Sequence, residues 1–361
     1  MQSEKVISTR QLCFILAFFF PVNKIILLPS LLSKYASNDL LISAAIVLLL
    51  QGLAVFALLW LMKHNDATLF ELIQGKFGVW TARVCYCILG IYFAFSAVLP
   101  LAEHKLYIQQ TMYDTLPSFI VFLPFFFFSL YAASKGLRSI GRAADVGMPL
   151  FLASFPLLLL MAAGSADFTS LLPVGQSSAG QILRGATTML SWCSDAAWLL
   201  LFLGKVKIDE KFLTKTTISY AGGALAVLLF LAIFYGIFST VALNESFAVS
   251  KIARYYNALK TLGRIDYLFV YILSLVQLFA LIVPVQLSAH ALSKTFNFSQ
   301  PIFSLIINGA LFLVIFFTAN AFPSLERTIN GYLFPVFLVF ANLIPLVCPL
   351  FALKKNERSK K

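Results

Sequence analysis

The chain has 361 residues, of which 60% are hydrophobic and only 12% charged, and its mean hydropathy is +0.89. Soluble domains carry roughly a quarter charged residues, so an ordinary soluble domain is excluded. The net charge of +12 lies in short connections and a terminal basic run between apolar stretches. That pattern is membrane topology and gives no sign of nucleic-acid binding.

Apolar runs of about 20 residues mark membrane spans. They fall near 10–34, 40–62, 80–108, 117–134, 139–163, 185–203, 214–243, 265–292, 301–319 and 328–353. The fold class predicted is an all-α polytopic membrane protein with ten transmembrane helices in a five-plus-five inverted repeat, helices one and six being discontinuous. One membrane domain covers 1–361. Its parts are a first five-helix repeat at 10–163, an extracellular crossover at 164–184, a second repeat at 185–353 and a basic cytoplasmic tail at 354–361. Ten crossings put both termini on one side. The bias of Lys and Arg, led by Lys135, Arg138, Arg142, Lys205, Lys207 and the terminal run, makes that side cytoplasmic. Lys5 and Arg10 precede an apolar run with no small-residue cleavage site before Lys24, so this run is read as a retained span.

The first span is interrupted by Phe20-Pro21-Val22-Asn23-Lys24. Proline removes a backbone donor and disfavours helix in the residue before it. A break at membrane depth survives only where protein or a cavity satisfies the freed groups. A lysine there faces the interior and marks a functional site by default. Next, Thr68 to Phe77 has apolar residues at helical spacing and reads as a short surface helix. Glu103-His104-Lys105 follows 23 residues into the third span, some 34 Å along it. That count puts the cluster near the outer surface, as a solvated rim or a proton relay through Glu103 and His104. The Pro124–Phe128 run is bulk packing or lipid contact. Arg142 and Asp145 stand three apart on the fifth span and are predicted to pair as a structural or gating bridge.

The second interruption is Ser191-Trp192-Cys193-Ser194-Asp195 in the sixth span. Pro21 lies 11 residues past Arg10, and Asp195 lies 11 past Arg184, roughly 16 Å in each case. Both breaks thus reach the midplane of a hydrocarbon core about 30 Å thick, from opposite faces. Each break frees donors at the start of one half-helix and acceptors at the end of the other. An amino-acid-type ligand needs that complementarity. The predicted ligand-binding set is Pro21, Val22, Asn23, Lys24, Ser191, Trp192, Ser194 and Asp195. Two roles fit the charged members: Asp195 takes a ligand ammonium or coupling proton while Lys24 draws the carboxylate, or the two neutralise each other. They are compatible if ligand breaks the pair. Beyond this break, Asn244 to Arg264 opens with a capping pattern and is predicted to fold as helices over the outer vestibule.

The five cysteines form no CxxC pair and read as small packing residues. No phosphate loop, HExxH, clustered metal ligands or Gly-x-Ser-x-Gly turn is present. Neither an enzyme nor a metal or cofactor protein is indicated.

Several stretches together resemble the B-subunit family of spore germination receptors, within the amino acid–polyamine–organocation transporter superfamily. They are the entry into span two (Leu32 to Ile46), Ala67-Thr68-Leu69-Phe70-Glu71-Leu72, the Gly136–Pro149 segment GLRSIGRAADVGMP, and Leu171-Leu172-Pro173-Val174. The likeness runs roughly from Val6 to Ala352, and Gly136–Pro149 is its most specific part. It implies a germinant, often an amino acid, held between spans one, three, six and eight, and a complex with a larger A subunit and a lipoprotein C subunit in the spore inner membrane. By the same likeness Asp195 stands where relatives often have an acid, and Arg142 matches the arginine of the span-five motif. The first break departs from the pattern, with Pro21-Val22-Asn23-Lys24 where transporter relatives favour glycines. The function expected is the transporter-like subunit of a germinant receptor. The alternative is a freestanding proton-coupled amino-acid permease in the bacterial cell membrane.

Overall fold

The computed structural model describes residues 6–112, 117–255, 266–318 and 321–350. The predicted tail at 354–361 and the end of the predicted 244–264 loop lie outside the described residues. Helices occupy all ten predicted intervals. Among the described residues seven helical stretches are long and apolar enough to cross a membrane: Leu28–His64, Val79–Thr111, Arg138–Ala163, Phe212–Asn244, Tyr267–Phe296, Gln300–Phe317 and Phe322–Leu350. The intervals predicted for spans one, four and six hold shorter or broken helices.

The chain opens with a two-residue strand, β1 (Ile7–Ser8), and α1 (Thr9–Val22), then α2 (Leu28–Ala36) after a break. A 3-10 turn at Ser37–Asp39 reverses it into α3 (Leu40–His64). There follow the short α4 (Leu69–Phe77), the long α5 (Val79–Met112), α6 (Ser118–Ser134) and α7 (Arg138–Ala163). A crossover with one 3-10 turn leads to α8 (Ala179–Leu190), a second break, α9 (Trp198–Phe202) and strand β2 (Val206–Lys207). The rest is α10 (Phe212–Phe238), α11 (Ala248–Tyr255), α12 (Asp266–Phe296), α13 (Gln300–Phe317) and α14 (Phe322–Leu350).

Most long helices are apolar on every side because both their environments are apolar. In α3, Val47, Leu48, Leu58 and Leu59 are buried against protein while Leu49, Leu53 and Phe56 remain exposed. That exposed face is the lipid face. The central helix is α12: 67% of its most apolar window is buried, against 28% for α13 and for α14, which therefore lie at the periphery. It packs along α5, α6, α7 and α13.

The strands fix how α1 and α9 meet. They pair in parallel, Ile7 opposite Val206 and Ser8 opposite Lys207. Since β1 leads into α1 and β2 follows α9, α1 begins on the face where α9 ends, and the two run in opposite directions. The turn between α9 and β2 depends on Gly204, at φ +71°. A Cβ there would lie 2.8 Å from the Asp66 carbonyl oxygen and the Thr68 nitrogen, both backbone atoms that cannot yield. Thr68 caps α4 in a reciprocal box with Glu71, giving the predicted surface helix its start. On the opposite face Asp39 accepts from the Gly175 and Ser177 nitrogens at 2.6 and 2.7 Å, holding the crossover to the α2–α3 turn.

Candidate functional site

The first break begins later than its sequence suggests. Phe20, just before Pro21, keeps helical backbone at φ −59° and ψ −53°, and α1 continues to Val22. The reason is a wide π turn at Ile15–Phe19, which accommodates the missing proline donor without ending the helix. α10 comes close to this turn at Gly223, where a Cβ would sit 2.8 Å from the Leu16 carbonyl oxygen and 3.4 Å from Pro21 Cδ. The non-helical segment is Asn23–Leu27. Helix resumes at Leu28 with Pro29 in its first turn, where a missing N–H costs nothing.

The second break falls as predicted. α8 ends at Leu190, Ser191–Ser194 are not helical, and a 3-10 turn at Asp195–Ala197 leads into α9.

Lys24 and Asp195 join the two breaks. The Lys24 ammonium bonds the Asp195 Oδ2 carboxylate oxygen directly and donates to the Phe20 carbonyl at 2.7 Å, one of the acceptors left free where α1 ends. Both side chains are 1% exposed. The ammonium also lies 5.3 Å from the Phe20 ring centroid.

Glu103 corrects the sequence-based placement. Far from a solvated rim, the run Glu103-His104-Lys105 is buried. Glu103 accepts from the Leu27 backbone nitrogen at 2.8 Å and from Trp192 Nε1 at 2.7 Å. One carboxylate from α5 therefore caps the start of α2 in the first break and holds the indole of the second. His104 Nδ1 lies 2.9 Å from Gln277 Oε1 and its Nε2 lies 3.3 Å from Ser274 Oγ, so it ties α5 to α12. Lys105 donates to the Ile315 carbonyl at 3.3 Å. The helix count misled because α5 starts outside the packed bundle: Val79, Trp80 and Thr81 are all exposed. At 34 residues and about 1.5 Å per residue, the helix is much longer than the membrane core, so distance from its start is not depth.

Several buried polar atoms around the breaks have no hydrogen-bond partner among the described residues: Asn23 Oδ1, Ser191 Oγ, Asp195 Oδ1, Trp198 Nε1 and the Tyr92 hydroxyl. Gln51 of α3 lies beside Asp195 without forming a hydrogen bond of ordinary geometry. Such groups cost about 1–3 kcal/mol each when unmet, and so mark places where a polar ligand gains most. Of the predicted set, Asn23, Lys24, Ser191, Trp192, Ser194 and Asp195 bring polar groups to the breaks. Pro21 packs toward Gly223, and Val22 is buried apolar wall. The residues missed are Gln51, Tyr92 and Trp198, along with the bridging role of Glu103. Gln51 alone carried a signal, as an amide inside the run LLLQGLAV. The predicted loop helix also reaches the site: Ala248 at the start of α11 donates to the Ile26 carbonyl at 2.7 Å.

The predicted Arg142–Asp145 bridge is not formed. Asp145 bonds Arg10 Nη2 at 3.0 Å and Gln11 Nε2 at 2.8 Å, tying α7 to the start of α1. Arg142, three positions earlier, is exposed and lines a cavity with Lys135 and Arg138. The i, i+3 spacing made the local pair possible, but α1 supplies two donors to Asp145 and wins. Among the described residues no three His, Cys, Asp or Glu side chains gather as a metal site.

Two discontinuous helices joined at their breaks by a buried charge pair form a transporter-like core. A family profile described as "Spore germination protein" matches residues 6–322. The chain belongs to the spore germination protein family. No curated protein sequence matches it. Among solved structures it resembles MhsT in complex with L-phenylalanine, with 13% identity, a TM-score of 0.60 and coverage of 95% of this chain and 97% of that one. It also resembles Mhp1, a nucleobase-cation-symport-1 family transporter, in a closed conformation with bromovinylhydantoin bound, with 13% identity, a TM-score of 0.51 and coverage of 96% and 80%. These likenesses establish the fold alone, one shared with both structures, and the family together with the long apolar helices makes the chain an integral membrane protein.

Proposed function

We propose that this spore germination protein is the transporter-like membrane subunit of a germinant receptor and binds a small amino-acid-type germinant at the two helix breaks. The observation that carries the reading is the buried Lys24–Asp195 pair, whose members come one from each break. A zwitterion is the solute that can exchange with such a pair, its ammonium taking Asp195 and its carboxylate taking Lys24. The exchange leaves no buried charge unpaired, which a neutral or singly charged solute cannot achieve. Asn23, Ser191, Ser194 and Trp192 supply further polar contacts, and Glu103 holds the two breaks in register. A and C receptor subunits read out the change, in a spore inner membrane with both termini of this chain cytoplasmic.

The test is binding by the purified full chain, followed as thermal shift across an amino-acid panel. The expected result is a shift with one or a few amino acids that is lost in the double variant Lys24→Met with Asp195→Leu. This variant removes both charges together and leaves neither unpaired. A double variant that folds and still binds would overturn the site. The second reading, a proton-coupled permease, is favoured by the L-phenylalanine complex of one similar structure and by the other being a transporter. Uptake of the bound amino acid by proteoliposomes holding this chain alone would establish it; binding without uptake supports the receptor.

A further inference from the structure

A cavity of about 560 Å³ lies away from the breaks, between α6, α7 and α12. Its lining includes three cations, Lys135, Arg138 and Arg142, and no acid. The nearest acid in the chain's own sequence, Asp145, is committed to Arg10 and Gln11. All three cations are exposed, and beside them the wall is formed by Phe128, Tyr131, Val146, Phe279 and Val283. Phe128, Tyr131 and Val146 are exposed as well. The cavity thus pairs a cationic end with an apolar side open to the surroundings of a membrane helix bundle.

Its floor is preformed. Gln286 of α12, fully buried, donates through Nε2 to the Ala132 carbonyl at 2.9 Å and bonds the Gly136 carbonyl and Ser139 Oγ, fastening α12 to the α6–α7 turn. Gln300 of α13 braces the same turn, donating to the Ala133 carbonyl at 2.9 Å. The other Gln286 amide atom, Oε1, is buried with no partner among the described residues.

We infer that this cavity binds an anionic phospholipid, with the phosphate over Lys135, Arg138 and Arg142 and an acyl chain along Phe128, Val146 and Phe279. Three cations without an acid select a negative headgroup, and basic pockets between membrane helices are a recurrent lipid site. The exposed apolar wall selects a lipid over a free anion, since a soluble phosphate would leave it uncovered. The site stands independently of the germinant reading, because it shares no residue with the breaks.

Native mass spectrometry of the full-length protein, titrated with phosphatidylglycerol or phosphatidylcholine, tests the assignment. Phosphatidylglycerol is expected to bind at least tenfold more tightly. The variant Lys135→Gln, Arg138→Gln, Arg142→Gln is expected to lose phosphatidylglycerol affinity on the order of 100-fold, from about a fivefold factor per cation, with phosphatidylcholine unchanged. A control with Lys207, Lys211 and Lys215 each changed to Gln keeps the wild-type affinity. If the triple variant does not fold, Arg142→Gln alone is expected to lose about fivefold. Equal binding of the two lipids, an equal loss in the control, or displacement of phosphatidylglycerol by millimolar inorganic phosphate would each overturn the proposal.

Discussion

Two ion pairs anchor α1, and they sit in opposite physical settings. Near the start of the helix, Arg10 meets Asp145 with side chains 70% and 30% exposed; past its end, Lys24 meets Asp195 with both 1% exposed. The exposed pair can trade its partner for water at little cost. The buried pair cannot, because a charge left alone in an apolar interior has nothing to replace its partner. The same helix thus carries one pair that fastens and one that must stay paired or be matched by an incoming zwitterion. Solvation, more than geometry, separates their roles.

The sharpest way to break the contrast is to remove one charge from each pair. Lys24→Ala is expected to cost about 3–5 kcal/mol, read as a fall in melting temperature of the purified protein. Adding Asp195→Leu to Lys24→Met is expected to recover most of that loss. If the single change costs no more than Arg10→Ala, the interior pair is hydrated and the contrast fails. Next in size is Glu103→Leu, which leaves the Leu27 nitrogen and Trp192 Nε1 unmet, at about 1–3 kcal/mol each. Proteolysis or hydrogen exchange should show α2 and the second break loosening together. Gly223→Ala presses a methyl group onto the Leu16 carbonyl oxygen and is expected to cost about 1–3 kcal/mol, without touching either pair. Arg10→Ala is expected to stay within about 1 kcal/mol and to shrink further in high salt.

The smallest effect concerns pH. In the crossover, outside the spans, Asp167 accepts from Thr169 Oγ1 and from the Thr169 nitrogen, and these donors hold its carboxyl below the usual value. A lowered folded value means that its contribution is complete above the ordinary carboxylate range and is lost as pH falls through the lowered value. Protection of the Thr169 amide, taken relative to the intrinsic exchange rate at each pH, should fall on acidification over that window, and Asp167→Asn should remove the dependence.

The apolar intervals, the surface helix at Thr68 and the second break were legible because each rests on local chemistry: run length, a capping box, a polar cluster within a greasy run. The first break was legible in place but not in extent, since Pro21 signals an interruption while the π turn before it and the close approach of Gly223 come from packing against α10. Residue counting puts Glu103 near the outer surface, and neither its burial nor its bridge was legible. Its depth depended on where α5 begins relative to the bundle, and counting residues along a helix longer than the membrane cannot supply that. The Arg142–Asp145 pair failed for a related reason: an i, i+3 spacing offers a contact, and Arg10 and Gln11, more than 130 positions away in the chain, offered better ones.

The amino-acid sequence by itself determined that this chain is a helical membrane protein and that charges lie within its first and sixth spans. Those follow from hydropathy, which acts residue by residue. Only the tertiary structure decided which charges meet, because electrostatic partners in an apolar interior are chosen by helix packing and by the shortage of alternatives, and neither is written in local order along the chain.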